Sequence, residues 1–233
     1  MDKYYRIAGL TVKMDMFGAA ECTARPYEIT EPKHVDIEIV ADWKSLKEKY
    51  PTDSDTMCNY VATCKKFYRA LIDFNGMQVH SSALVINGKA YLFSANPGTG
   101  KSTHVTLWRR VFGDERVRVL NDDKPAIRYE EGKWYAYGTP WSGKTTQNLN
   151  LKMPLGGICF LERGETNEIE RYKDKDLVFQ FLNQTVRPED PDRQILLLSY
   201  IENIIANVPI WKLKCNMEPE AAIVAYEAKT EKK

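Results

Sequence analysis

The stretch "GKAYLFSANPGTGKSTHVTLWRRV", residues 88 to 111, constrains the fold more than any other: an apolar run, a turn with two glycines, then a lysine and two hydroxyls opening a helical pattern. A strand that passes through a glycine-rich turn directly into a helix belongs to a sheet covered by that helix, the building unit of α/β folds. Gly98 and Gly100 let successive backbone N–H groups face one concavity, and the helix N-terminus adds partial positive charge, so the turn suits an anion such as phosphate. Within Asn96, Pro97, Gly98, Thr99, Gly100, Lys101, Ser102 and Thr103, Lys101 would reach outer phosphates of a nucleotide and the Ser102 hydroxyl would ligate Mg²⁺. Ala95 stands where such loops usually carry their first glycine, and Pro97 removes one backbone donor.

A nucleotide site of this kind needs a carboxylate for the metal. "VRVLNDDKP" supplies Asp122 and Asp123 at the end of the next predicted strand, the edge at which open α/β sheets bind ligands. The same residues would also make an ordinary turn. Further on, "YGTPWSGKTTQNLN" is a bent loop lined with hydrogen-bonding groups.

Around these motifs the chain divides in two. "YYRIAGLTVKM" and "VDIEIV" have strand character and residues 15 to 56 read as irregular connectors, so residues 1–54 form a small β-rich lobe. From Asp55 the apolar spacing turns helical through Ile72, with Gly76 as the stop. Then come "VHSSALVI" and "AYLF" joined at an Asn-Gly hairpin turn, strands at "RVRVL", "PAIRY", "KWYAYG" and "GGICFLER", and helices over "DLVFQFLNQTV" and "DRQILLLSYIENIIANV". A strand "IWKLKC" and a helix "EPEAAIVAYEA" complete a domain spanning residues 55–228, with 229–233 as a frayed lysine-rich tail.

Lys and Arg total 33 against 32 Asp and Glu, which excludes a broad electrostatic footprint for nucleic acid or anionic membrane. No apolar run approaches a membrane span, and five scattered cysteines with three histidines argue against zinc, so a soluble cytoplasmic protein is expected. The apolar "ILLLSYIENII" helix suits either core or the interface of a homo-oligomer.

"VHSSALVINGKAYLFSANPGTGKST" followed by "VLNDDKP" resembles the HPr kinase/phosphorylase catalytic domain and the ATP-dependent phosphoenolpyruvate carboxykinases. The resemblance covers about residues 77 to 228 and is dense from 80 to 145. It implies a phosphoenolpyruvate carboxykinase/HPr kinase-like P-loop fold, α/β with a mixed sheet and flanking helices, beside the small N-terminal β-rich lobe. It also implies ATP and Mg²⁺ as ligands, Lys101 and Ser102 at the phosphates and metal, the pair Asp122 and Asp123 as general base and metal ligand in one order or the other, with Asp122 favoured as base and Asp123 as metal ligand, and His80 beside the transferred phosphate. "GTPWSG" is similar to a run in kinase-like relatives, which makes Trp141, Ser142 and Lys144 candidates for substrate or phosphate contact. "TVRPEDPDRQ" departs from the family's phosphate-contacting loop and leaves Arg187 and Arg193 as weaker candidates. His104 has only a packing or capping role, and His34 carries no signal.

The activity expected is transfer of the γ-phosphoryl group from ATP to a hydroxyl, a serine of a peptide or protein first and a small metabolite second. The reverse phosphorylase reaction and a nucleotide-dependent binding module without chemistry stand as alternatives.

Overall fold

The structure, a computed structural model, describes residues 3–230. The chain starts with a hairpin of β1 (Lys3–Ile7) and β2 (Leu10–Met14), followed by α1 (Ala19–Ala24), a 3-10 turn, β3 (Glu28–Ile29), β4 (Ile37–Ile39) and α2 (Trp43–Lys49). Besides β4, the strand expected at "VDIEIV", the segment read as irregular connectors holds two helices of under two full turns and the two-residue β3. Such pieces are too short to show a period, and tertiary contact rather than propensity holds them.

The first sheet has the order β3-β1-β2-β4. Its buried side chains, Tyr5, Ile7, Val12 and Met14 among them, meet Cys64, Phe67, Tyr68 and Leu71 of α3 (Asp55–Leu71). The Ser54 hydroxyl accepts from Met57 N at 3.1 Å and caps the start of α3. Gly76 is not the stop the sequence suggests: after Leu71 a 3-10 turn intervenes, and Asn75 ends it in the left-handed conformation with φ 57°. Gly76 instead opens β5 (Gly76–Gln78).

The second sheet is assembled from β6 (Ser81–Ile86), β7 (Lys89–Ser94), β8 (Arg118–Asn121), β9 (Ala126–Glu130), β10 (Lys133–Tyr137) and β11 (Lys152–Arg163) together with β5, β12 (Glu168–Arg171) and β13 (Ile210–Cys215). Its order is β5-β9-β10-β11-β7-β6-β8, with β13 beside β11 and β12 beside β13. The helices are α4 (Lys101–Phe112), α5 (Leu177–Asn183), α6 (Pro191–Asn207) and α7 (Glu220–Thr230). β12 escapes the sequence pattern because "EIER" is charged and short, and α5 stops three residues before the predicted end.

This is a mixed sheet with helices on both faces. Ala90 and Leu92 of β7 and Ile158 and Phe160 of β11 face Phe181, Ile201 and Ile204 from α5 and α6. The alternate residues Tyr91, Phe93, Cys159 and Leu161 face Val105 and Trp108 of α4 and Ala221 and Ala225 of α7. Burial on both faces explains why these strands read as continuous apolar runs. α6 buries Leu197, Tyr200, Ile201 and Ile204, while Ile195 and Leu198 on its other side are exposed.

Direction matters more than order here. β7, β11 and β13 run parallel, and β6 runs antiparallel to both β7 and β8. The C-terminal ends of β7, β8, β11 and β13 therefore share one edge with the N-terminal end of β6.

At the far end of the chain, Lys229 and Thr230 belong to α7 rather than to a frayed tail, and residues 231–233 lie outside the described residues. The Lys229 ammonium lies 3.9 Å from the centroid of Phe93 and 4.9 Å from that of Trp108, with no hydrogen-bond partner. Burial pushes it down to about 8. Among the described residues no helix is long and apolar enough to cross a membrane.

The loop after β10 turns under the β8 end at Gly138, where an added Cβ would stand 1.9 Å from Leu149 O and 2.7 Å from Leu120 O. Both obstacles are backbone and cannot rotate away. Gly138→Ala should lower stability by about 3 kcal/mol, the upper range for overpacking, measured by denaturant unfolding.

Candidate active site

The site begins with the loop leaving β7. Gly98 and Gly100 both take positive φ, 79° and 116°, and Gly100 precedes α4 without any side-chain cap. The first hydrogen bond of α4 runs from His104 N to Gly100 O at 2.8 Å. The amides of Lys101, Ser102 and Thr103 thus precede the helical ladder and point from an uncapped twelve-residue helix. No atom lies within 4 Å of the position a Cβ would occupy on Gly98, so the glycine is there for its backbone angle and not for want of room.

Lys101 is buried, and its Nζ donates to Ala95 O at 2.9 Å, folding the side chain back along the loop. Burial lowers its pKa, while Asp123 and then Asp122 act to raise it. The ammonium therefore feels both carboxylates of "NDD" across the start of β6.

That turn is built by Asn121. Its side-chain carbonyl accepts from Asp123 N at 3.0 Å and Lys124 N at 2.7 Å, while its amide donates to Thr139 O at 2.9 Å. Asp122, 8% exposed, accepts at Oδ1 from the Ser82 hydroxyl at 2.5 Å. Asp123 Oδ1 lies 2.9 Å from His80 Nε2, and its Oδ2 meets the Lys124 ammonium. Burial pushes Asp123 up, but the hydrogen bond from His80 and the charge of Lys124 outweigh it and hold the carboxyl below its usual value.

His80 is held from both sides. Its Nδ1 faces Gln184 Oε1 at 3.2 Å, and Gln184 Nε2 donates to Asn96 Oδ1 at 3.3 Å, which closes a chain from the carboxylates back to the loop. Ser81↔Ser94 and Ala83↔Asn121 are the strand pairings that bring these pieces together. His80 also lines a groove of about 300 Å³ with Tyr60, Cys64, Lys65 and Val186.

The "PWSG" loop contributes its backbone and not all its side chains. Trp141 is fully buried with its ring 4.9 Å from Phe67, and Ser142 is fully buried, its hydroxyl accepting from Asn148 Nδ2 at 3.0 Å. Neither side chain is open to a substrate, and both serve packing. Gly143 lies against Asp123, where an added Cβ would come within 2.9 Å of the aspartate Cβ, and Lys144 next to it is exposed.

Arg187 is exposed three residues beyond Gln184. Arg193 is not brought to the site: its guanidinium binds Asp73 through two hydrogen bonds of 3.0 and 2.5 Å. His104 packs in the core as the sequence suggests, and His34 lies at the surface 3.4 Å from Asp36.

Several partners escape sequence reasoning. Ser82, near the start of β6, follows His80 at a spacing of two, the only hint the sequence gives of it. Gln184 and Arg163 have none: Gln184 comes from the end of α5, and Arg163, at the end of β11, donates from Nη2 to Gly98 O at 2.5 Å.

The fold and site together define a mixed α/β protein that gathers a glycine-rich loop, a buried lysine, two carboxylates and a histidine at one sheet edge. No family model matches the chain, and no curated protein matches it in sequence. A comparison of structures aligns it with the Hpr(Ser) kinase/phosphatase from Coxiella burnetii at 14% identity and TM-score 0.31, covering 54% of this chain and 94% of that one. At that TM-score nothing is transferred from one protein to the other.

Ionisation of Asp123 can be tested through stability. A carboxyl whose folded pKa lies below its unfolded value of about 4 contributes stability above that pH and loses it as pH falls through the folded value. The difference in thermal midpoint between the wild type and Asp123→Asn should be constant above pH 5 and shrink toward pH 2.

Proposed function

We propose that the site binds ATP with Mg²⁺ and transfers the γ-phosphoryl group to a hydroxyl, that of a serine in a peptide or protein. The observation that carries this reading is the Lys101 ammonium, buried at the base of an uncapped helix and loop while facing Asp123 and Asp122. The residues fit the ligands: the loop amides and helix N-terminus suit phosphate oxygens, and Ser102 with an ionised Asp123 offers the hard oxygen donors that magnesium takes, the ion's other ligands being phosphate and water. Among the described residues no group of three His, Cys, Asp or Glu could hold a metal by itself, in keeping with a metal that arrives with its nucleotide. When bound, the ion would supply positive charge that offsets the charge of the phosphates.

The chain's own residues divide the remaining work. Lys101 leaves Ala95 O to meet the outer phosphate, balancing the charge that spreads over its oxygens. Asp122 accepts the proton of the attacking hydroxyl. It suits this better than Asp123, because Asp123 has one oxygen engaged by His80 and the other by the Lys124 ammonium, and Asp122 has only the neutral Ser82 on one. His80, fixed by Gln184 and Asp123, stands between the carboxylates and the groove beside α3, where an acceptor side chain can approach.

The test is calorimetric titration of ATP with and without Mg²⁺, followed by ADP release with water as surrogate acceptor. Lys101→Ala should weaken ATP binding at least tenfold with little change in thermal midpoint. Asp122→Asn should lower turnover by about a hundredfold or more while affinity for ATP stays within about threefold. A folded wild type that binds no ATP overturns the proposal, and ATP binding without turnover leaves a nucleotide-dependent binding module.

A further inference from the structure

The groove beside His80 has two walls that are far apart in the sequence. One is the part of α3 that carries Tyr60, Val61 and Cys64, and the other is the chain leaving α5, from Gln184 to Val186. Further along α3 the two are pinned together, Arg69 Nη2 lying 2.7 Å from Glu189 Oε1. At the other end the Tyr60 hydroxyl accepts from Gly143 N at 2.9 Å. His80 and Lys124 also line the groove, and both meet Asp123, so it opens onto the place of the proposed transfer. Its volume of about 300 Å³ is at the lower end for small-molecule sites, room for one side chain and the backbone that carries it.

The walls are apolar and the rim is basic. Val61 and Val186 are half-buried on opposite sides, and burial pushes the Cys64 thiol between them in sequence up to about 12, which leaves it a neutral part of the wall. Met57, one turn before Val61 on α3, is 47% exposed and extends the same apolar strip beyond the groove. The carboxylates nearby are already engaged: Asp123 by His80 and Lys124, Glu189 by Arg69, and Asp190 by the backbone N–H of Arg193 at the start of α6. The cations are not. Lys65, which lines the groove, and Arg187, next to Val186, are both exposed, and neither forms an ion pair among the described residues.

We propose that the phosphoryl acceptor is an acidic peptide segment that lies in this groove, an aliphatic side chain beside its serine seated between Val61 and Val186 and flanking carboxylates facing Lys65 and Arg187. The inference rests on the phosphoryl-transfer reading and adds which serine is chosen. In that reading the serine oxygen bonds to the γ-phosphorus as the oxygen of ADP leaves, and the serine proton passes to Asp122. The two features do different work. Burial of the aliphatic side chain anchors the segment so that the hydroxyl points past His80 toward the carboxylates. The exposed cations add little affinity each, but they reject basic sequences by like-charge repulsion. A small hydroxyl metabolite would reach only the His80 end and leave both valines and both cations without a task.

The experiment measures transfer of labelled phosphate from ATP to degenerate peptides with one central serine, each flanking position fixed in turn as Glu, Lys, Leu or Gly. Wild type should favour Glu over Lys at the outer flanking positions by about threefold or more, and Leu over Gly at one position adjacent to the serine by about tenfold. Lys65→Glu combined with Arg187→Glu, both at exposed positions, should reverse the charge preference and keep the preference for Leu, a reversal that a general loss of structure cannot produce. Val61→Ser, checked for its fold by thermal unfolding, should weaken the preference for Leu and keep that for Glu. Added salt should erode only the charge preference. Equal use of all flanks, a preference for Lys, or a charge preference that survives the double reversal overturns the inference. Binding of ATP with Mg²⁺ without transfer to any peptide overturns it too and leaves the nucleotide site standing, whereas a folded wild type that binds no ATP overturns the phosphoryl-transfer reading and the inference with it.

Discussion

The structure depends on one strand running the wrong way. β6 lies between β7 and β8 and antiparallel to both, so its N-terminus meets their two C-termini. Loops that leave parallel strands would otherwise bring only strand exits to the edge. Because β6 enters there, His80 stands between the glycine loop and the aspartate turn, and the Ser81↔Ser94 and Ala83↔Asn121 pairings fix the spacing of all three. A slip of one residue in that register would turn Ser82 from Asp122 toward the opposite face.

Charge at this edge is arranged in opposed pairs. Lys101 and Lys124 bring two cations to a place where Asp122 and Asp123 bring two anions, and His80 bridges toward the neutral amides of Gln184 and Asn96. Each ionised group is partly or wholly removed from water, which would be costly for any one alone. In the proposed transfer, water would then have little reorganising to do, since the opposing charges are already in place.

Much of this is legible in the sequence because it is local. The strand, the glycines and "GKS" announce the loop within ten residues, and the Asn87–Gly88 turn with its positive φ at both positions is signalled by those two residues alone. Asp122 and Asp123 are also adjacent in the chain. What is not legible is long-range: Gln184 reaches His80 over 104 residues, and Arg163 reaches Gly98 over 65. Trp141 misleads for the same reason. A tryptophan in a polar, glycine-rich loop reads as a surface residue until Phe67 and Tyr68, packed from α3, bury it. The alternation of "VDIEIV" signals β4, but α1, α2 and β3 are invisible to periodicity because none is long enough to repeat.

Lys229 gives the C-terminal helix a character that its sequence does not convey. The ammonium sits among the faces of Phe93 and Trp108, and Trp108 in turn holds the tautomer of His104. A cation so enclosed has no water to exchange with while it stays in place, and ring faces attract it only as long as they surround it. Seating the last turn of α7 therefore costs the hydration of one cation, a cost that the ring faces offset in part, on the same face of the sheet that carries α4.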